Sequence, residues 1–190
     1  MTRIFTACAC AAACLLVLQA GVVKAQQLRA LQGNGTQSSI EALFTPENDI
    51  AATLVAAIAQ ARQDIHVEAY LFTSHKLASA LIRAERRGVS VAIIVDREQL
   101  EKGGAPKVAE LAAAGIAVYI DGEHAAAHNK IIVIDAAGAA PVLVTGSYNF
   151  TVAAQIRNAE NVLVIRGNRE LAAVYRANWE HHREHSARMQ

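Results

Sequence analysis

Short apolar runs alternate with longer amphipathic stretches between residues 40 and 120, and this alternation limits the chain to few folds. Continuous apolar runs predict buried strands, whereas apolar residues at helical spacing predict helices with one buried face. Helical patterns cover residues 48–62 and 74–87, and Gly88 ends the second. The predicted strands are Ile40–Phe44, Ile65–Phe72, Val89–Val95 and Ile116–Ile120. This β-α-β-α-β order favours an α/β sheet with helices on both faces.

The second half of the chain has a pattern typical of antiparallel strands. Two apolar runs, Ile131–Ile134 and Val142–Val144, are separated by a short loop rich in Ala and Gly, which predicts a hairpin. A further strand is predicted at Asn161–Ile165, and a final helix follows with Asn168 as its N-cap. The sequence therefore predicts a single domain, without internal repeats, built on a mixed sheet.

The first 25 residues have the pattern of a signal peptide. Arg3 is the only charged residue before Lys24, and residues 4–23 are almost wholly apolar. A small-residue cleavage site ends at Ala25, so we expect an exported protein that is periplasmic or secreted. Two alternatives stay open, an uncleaved membrane anchor and a lipoprotein modified at Cys14.

The predicted mature chain has no cysteine and almost no net charge. Residues 26–38 lack apolar periodicity and are predicted to form a flexible lead-in, and the domain is predicted to span residues 39–190. All three Cys lie in the leader, so no disulfide stabilises the domain. Without the leader, 16 basic side chains face 17 acidic ones, which disfavours a strongly basic nucleic-acid binder. Any anion site must therefore depend on a local patch.

One set of polar residues carries the chemistry. His128, Lys130 and Asp135 are spaced as His-x-Lys-x4-Asp, and the four residues before the aspartate are apolar. Gly-Ser-Tyr-Asn follows at residues 146–149, and Glu160 comes further along the chain. Each piece alone is common, whereas the combination is rare.

This set resembles the signature of the phospholipase D superfamily, which is His-x-Lys-x4-Asp followed by Gly-Ser-x-Asn or a close variant. The resemblance is closest to the small secreted bacterial nucleases of that superfamily. It implies a phospholipase D-like α/β/α sandwich and two-step phosphodiester hydrolysis. One histidine would attack phosphorus to form a phosphohistidine, and a second would protonate the leaving oxygen. Water would then release the phosphate, and the reaction needs no metal or other cofactor.

Strand geometry separates the motif residues by role. Residues two apart in a strand share a face, so His128 and Lys130 are expected to point into one cleft as catalytic residues. Asp135 has the opposite parity, which favours a structural hydrogen-bonding role, and Gly146 is also assigned to the structural part of the motif. The gap between these two residues is about four residues longer than the family pattern, and we expect the extra length at a hairpin tip.

The remaining candidates complete a phosphate site. Ser147 and Asn149 share a face and are predicted, with Lys130, to bind the phosphate oxygens. Glu160 is predicted to orient His128, because a carboxylate bonded to one imidazole nitrogen raises the basicity of the other. Glu123 is the alternative acid.

Three functions are compatible with these residues. The leading hypothesis is a non-specific endonuclease acting on DNA or RNA, and the first alternative is a phospholipase D acting on lipid headgroups. Lipid-cleaving members of the family are generally long chains with two motif copies, which favours the nuclease. A third hypothesis is an inactive phosphate-binding module anchored at the membrane.

The number of histidines suggests an assembly. The mechanism needs two histidines and the chain contains the motif once, so we expect a homodimer in which His128 of each subunit enters a shared active site. A second histidine in the same chain is the alternative, and His124 is the first candidate. His181 and His185 lie four apart on the final helix, as metal ligands can, but a solvated helix end is the expectation.

Overall fold

Apolar runs form strands, and amphipathic stretches form helices, in the computed structural model, which describes residues 38–190. The strands are β1 (Ser39–Phe44), β2 (Asp64–Ala69), β3 (Ser90–Asp96), β4 (Ala117–Asp121), β5 (Lys130–Ile134), β6 (Val142–Gly146), β7 (Asn161–Arg166) and β8 (Ala187–Arg188). The helices are α1 (Ile50–Gln60), α2 (His75–Arg86), α3 (Arg97–Glu101), α4 (Val108–Ala113), α5 (Val152–Ile156) and α6 (Arg169–His185). The predicted signal peptide and nearly all of the predicted lead-in lie outside the described residues.

The strands form one mixed sheet in the order β1-β7-β6-β5-β2-β3-β4-β8. Strands β2, β3 and β4 are parallel, because helices connect them, and the other neighbours are antiparallel. Residues 131–134 and 142–144 form the predicted hairpin between β5 and β6. The predicted fold class, a mixed sheet flanked by helices, is confirmed.

Successive side chains of each strand point to opposite faces of the sheet, and both faces are buried. Val67 and Ile132 belong to the main core, together with residues of α1, α2 and α4. Ile94 and its neighbours on the opposite face pack against α6, where Trp179 is buried and its indole N–H donates to the Val67 carbonyl at 2.9 Å. The sheet is therefore covered on both faces.

Several elements differ from the sequence prediction, which did not specify the short helices α3, α4 and α5. Strand β2 ends at Ala69 rather than at Phe72, because the amide of Phe72 bonds to Gly104 and the next two amides bond to Phe150. Strand β8 was not predicted, and its two residues pair with β4 at Tyr119 and the residue after it. None of the helices within residues 38–190 is long and apolar enough to cross a bilayer.

Candidate active site

The direction of each strand brings the motif residues to one edge of the sheet. Strand β5 is antiparallel to β2, so Lys130 at its start pairs with Ala69 at the end of β2. Strand β6 returns to the same edge and ends at Gly146, and β7 starts there at Asn161. His128, Ser147 and Glu160 lie within two residues of these strand ends, so they also lie at this edge, which we call the motif edge.

Lys130 is almost completely buried at the motif edge. Only 6% of the residue is exposed, its Nζ donates to the carbonyl oxygen of His128, and it lies 4.8 Å from the centre of the Tyr70 ring. Burial lowers the pKa of Lys130 to about 8, and the negative charge of Glu160 opposes that shift. A cation held in this way favours an anionic ligand that would restore its lost solvation.

His128 lies in the loop before β5 and contacts the same tyrosine. Its ring centre is 4.4 Å from that of Tyr70, and the residue lines a pocket of about 250 Å³ whose wall includes Asn129, His124 and Asp121. Tyr70 therefore links His128 with Lys130. Sequence reasoning gave this tyrosine no role, because it lay inside the predicted buried strand Ile65–Phe72.

Glu160 accepts hydrogen bonds from two neighbouring polar side chains at the motif edge. The Ser147 hydroxyl donates to Glu160 Oε2 at 2.6 Å, and the Asn158 amide donates to Oε1 at 2.9 Å. Within residues 38–190 no hydrogen bond joins Glu160 to His128. The carboxylate thus holds Ser147 and acts on Lys130 through its charge, whereas the expected bond to the imidazole is not among its contacts.

Asn149 has an unused hydrogen-bonding atom. Its side-chain oxygen is buried and has no partner among the described residues, while the flanking Tyr148 and Phe150 are packed in the core. Buried polar atoms are nearly always hydrogen-bonded in folded proteins. The unpaired oxygen is an acceptor and cannot donate to a phosphate oxygen, so the phosphate-binding role predicted for Asn149 depends on its side-chain N–H groups.

Asp135 and Gly146 act through the backbone. Asp135 lies at the opposite edge of the sheet, where its carboxylate accepts from the amides of Arg62, Gln63 and Asp64 at 2.7 to 3.2 Å. A side chain at Gly146 would clash, because its Cβ would lie 2.2 Å from the carbonyl oxygen of Asn161. The extra loop residues between Asp135 and β6 also lie at the opposite edge, away from His128.

Three buried carboxylates that the sequence analysis did not identify hold the loop that carries His128. Asp96 accepts from the amide of Ala127 at 2.8 Å, and Asp121 accepts from two amides at the start of the same loop. Glu68 accepts from the Asn129 side chain at 2.6 Å and bonds His182 of α6 at 3.1 Å. The available signal was an acidic residue inside an apolar run for Glu68, and one directly after an apolar run for Asp96 and Asp121.

Comparisons with known proteins agree with this arrangement. The family described as "Cardiolipin synthase, PLD-like domain" matches residues 54–183. A protein named phospholipase D from Rickettsia prowazekii is 40% identical over 144 residues, which are 76% of this chain and 67% of that relative. A mitochondrial cardiolipin hydrolase from Xenopus tropicalis is 31% identical over 136 residues, covering 71% of this chain and 62% of that protein.

The solved structures include a similar fold. The phospholipase D family member Nuc from Salmonella typhimurium superimposes with a TM-score of 0.73 and 29% identity, over 81% of this chain and 99% of Nuc. The matched family region includes every motif residue from His128 to Glu160. Motif, fold and sequence similarity together show that the chain is a phosphodiesterase belonging to the phospholipase D superfamily.

Proposed function

We propose that the protein is an exported, metal-independent endonuclease that hydrolyses phosphodiester bonds of nucleic acid through a phosphohistidine. The observation that carries this proposal is the gathering of His128, Lys130, Ser147, Asn149 and Glu160 at the motif edge. A nucleophile, a buried cation and neutral donors in one place match the needs of phosphoryl transfer. Export rests on the leader pattern of residues 1–25.

The reaction proceeds in two steps, formation of the phosphohistidine and its hydrolysis. An imidazole nitrogen of one His128 attacks phosphorus, and the bond from phosphorus to the leaving oxygen breaks while a second histidine gives that oxygen its proton. The second histidine then takes a proton from water, the resulting hydroxide attacks phosphorus, and the nitrogen–phosphorus bond breaks. Lys130, Ser147 and Asn149 stabilise the charge on the phosphate oxygens.

The substrate distinguishes this proposal from its alternative. The likeness to Nuc spans 99% of that chain and supports the nuclease, whereas the names of the curated relatives favour a phospholipid headgroup. The Rickettsia phospholipase D is comparable in length to this chain, since the matched 144 residues form similar fractions of both. Chain length, on which the sequence argument for a nuclease depended, therefore does not separate the two substrates.

A parallel assay tests the proposal directly. Purified protein lacking residues 1–25 is incubated with plasmid DNA, RNA and phosphatidylcholine vesicles, each with and without excess chelator. We expect nucleic acid to be cleaved at the same rate in chelator, because histidine is the nucleophile. Cleavage of phosphatidylcholine alone would establish the alternative, and activity that depends on a restored divalent ion would contradict the mechanism.

We also propose that two subunits share one active site. Large apolar side chains are exposed on β1, β7 and α5, the elements beside Glu160, and such a concentration is typical of an interface. These side chains are Ile40, Phe44, Leu163, Val152 and Ile156. Phe44 pairs with Asn161, the residue after Glu160, so this surface adjoins the motif edge. A two-fold axis here would bring the two His128 residues together.

Subunit mixing tests the shared site. When wild-type and His128→Ala subunits exchange freely, activity should fall as the square of the wild-type fraction, since only wild-type homodimers hold both histidines. An equal mixture would then retain about a quarter of the activity, whereas independent sites would retain about half. A linear decline under verified exchange, or a fully active monomer by sedimentation, would direct attention to His124 in the same chain.

Changing Glu160 to Gln tests the contribution of its charge. We expect turnover to fall by about 10- to 100-fold with an unchanged melting temperature, because the neutral amide supplies no negative charge to support the Lys130 cation. The rate should be measured across pH, beside the control Glu170→Gln, which changes an exposed carboxylate on α6. Near-wild-type turnover would reject this role and make Glu123 the next acid to examine.

A further inference from the structure

A buried carboxylate and two histidines meet beside the pocket of His128. Oδ2 of Asp121 lies 2.9 Å from Nδ1 of His124 and 3.4 Å from Nε2 of His185. We call these three residues the Asp121 cluster. One nitrogen or oxygen atom from each lies within 4.8 Å of the others. The cluster joins the end of β4, the loop that carries His128, and the last turn of α6.

The spacing of these atoms suits a tetrahedral metal ion. Zn²⁺ binds imidazole nitrogen and carboxylate oxygen at about 2.0–2.2 Å, which places neighbouring tetrahedral ligands about 3.4 Å apart. The separations of 2.9 Å and 3.4 Å from Asp121 Oδ2 therefore need only small side-chain adjustments. Imidazole with a carboxylate is also a ligand combination that suits zinc.

The second carboxylate oxygen is already held in place. Oδ1 of Asp121 accepts from the backbone amides of Glu123 at 3.0 Å and His124 at 3.2 Å. Outer hydrogen bonds of this kind orient metal ligands and lower the cost of assembling a site. Oδ2 is thus the oxygen directed toward both histidines.

Asp121 also lacks a permanent positive partner. Its side chain is fully buried, and within residues 38–190 no Lys or Arg nitrogen lies within 4.0 Å of its carboxylate, so the two histidines are its only ionisable partners at that distance. A buried carboxylate needs a counter-charge or a metal. Neutral imidazoles supply no charge, whereas a divalent cation between the three side chains would.

We propose that Asp121, His124 and His185 bind one Zn²⁺ ion, or a similar divalent transition metal, with the fourth position open to water. The ion would join α6 to the start of the loop that carries His128. It is separate from the chemistry proposed for His128, which needs no metal. Because Asp96 and Asp121 hold that loop without the ion, activity should survive its removal. The helical pair His181 and His185, suggested by spacing, is not the pair assembled here, because His181 is exposed and has no part in the cluster.

Metal binding to the tag-free protein lacking residues 1–25, after treatment with chelator and dialysis, tests the proposal. Calorimetric titration with ZnCl₂ should give one site per chain, and Co²⁺ should give the visible absorption of a tetrahedral complex. Saturating Zn²⁺ should raise the melting temperature by about 5 °C. His185→Ala and His124→Ala should each weaken Zn²⁺ binding at least 10-fold, because each loses one of three ligands.

Two control variants make the result specific. His75→Ala and His181→Ala remove exposed histidines outside the cluster and should bind Zn²⁺ as the wild type does. Circular dichroism without metal checks that every variant is folded. Absence of wild-type binding at tens of micromolar Zn²⁺, or wild-type affinity in folded His185→Ala, would overturn the proposal. Calorimetry, Co²⁺ absorption and the melting temperature do not depend on catalysis, so failure of the metal proposal is distinguishable from failure of the nuclease assignment.

Discussion

Replacing His128 with alanine is expected to lower turnover by at least about 10³-fold, because it removes the nucleophile from one subunit and the proton donor from the other. Steady-state rates on the substrate that the parallel assay identifies measure the effect. The fold should persist, since His128 lies in a loop whose anchors, Asp96 and Asp121, do not depend on its ring. Exposed His75→Ala is the matched control and should retain full activity.

A trapping experiment adds a direct test of the same residue. Wild-type protein quenched in alkali during turnover should carry a phosphoryl adduct on the peptide that contains His128, because phosphohistidine survives alkali. Absence of the adduct together with residual activity in His128→Ala would contradict the nucleophile assignment. A protein that binds phosphate without adduct or turnover would instead match the inactive-module alternative.

Replacing Lys130 with methionine is expected to lower turnover by about 10²-fold or more and, at the same time, to stabilise the fold. The pKa of Lys130 lies at about 8 rather than 10.5, because burial disfavours the charged form. Such a shift corresponds to about 3 kcal/mol of destabilisation at pH 7. The His128 carbonyl loses its donor, which offsets about 1 kcal/mol. A net rise of about 2 kcal/mol in the free energy of unfolding should remain.

The pH dependence of this gain has a definite sign. The folded pKa is depressed, so the charged lysine costs the full amount below pH 8, and the cost disappears as pH rises toward 10.5. The stability difference between Lys130→Met and wild type, from urea titrations, should therefore shrink between pH 7 and pH 10. Lys76→Met, an exposed change, should show no such trend. An equal difference at both pH values would contradict burial as the cause.

The sequence predicted the parts of the fold that depend on local periodicity. Apolar alternation identified β1 to β7 and the long helices, and the hairpin loop predicted the antiparallel half of the sheet. The motif spacing suggested that His128, Ser147 and Glu160 converge, and the directions of β5, β6 and β7 place all three at the motif edge. These features need only the period of a strand and the direction of the chain.

The sequence did not predict contacts between side chains that are far apart along the chain. The bond from Ser147 to Glu160 and the link from Glu68 to His182 join residues whose partners no local pattern specifies. The Asp121 cluster needs the last turn of α6 to lie against the loop after β4, and that depends on how Trp179 packs against the sheet. Helical spacing alone pointed to His181, which faces solvent.

The carboxylate of Asp135 fixes the register of β5 against β2. It accepts hydrogen bonds from the amides of Arg62, Gln63 and Asp64, just before and at the start of β2. Five residues earlier in the chain, Lys130 pairs with the last residue of β2. A slip of one residue would turn Lys130 toward the opposite face of the sheet, because side chains alternate with a period of two. The aspartate just after β5 therefore fixes where the cation at the start of β5 lies, and the spacing from Lys130 to Asp135 matches the length of that strand.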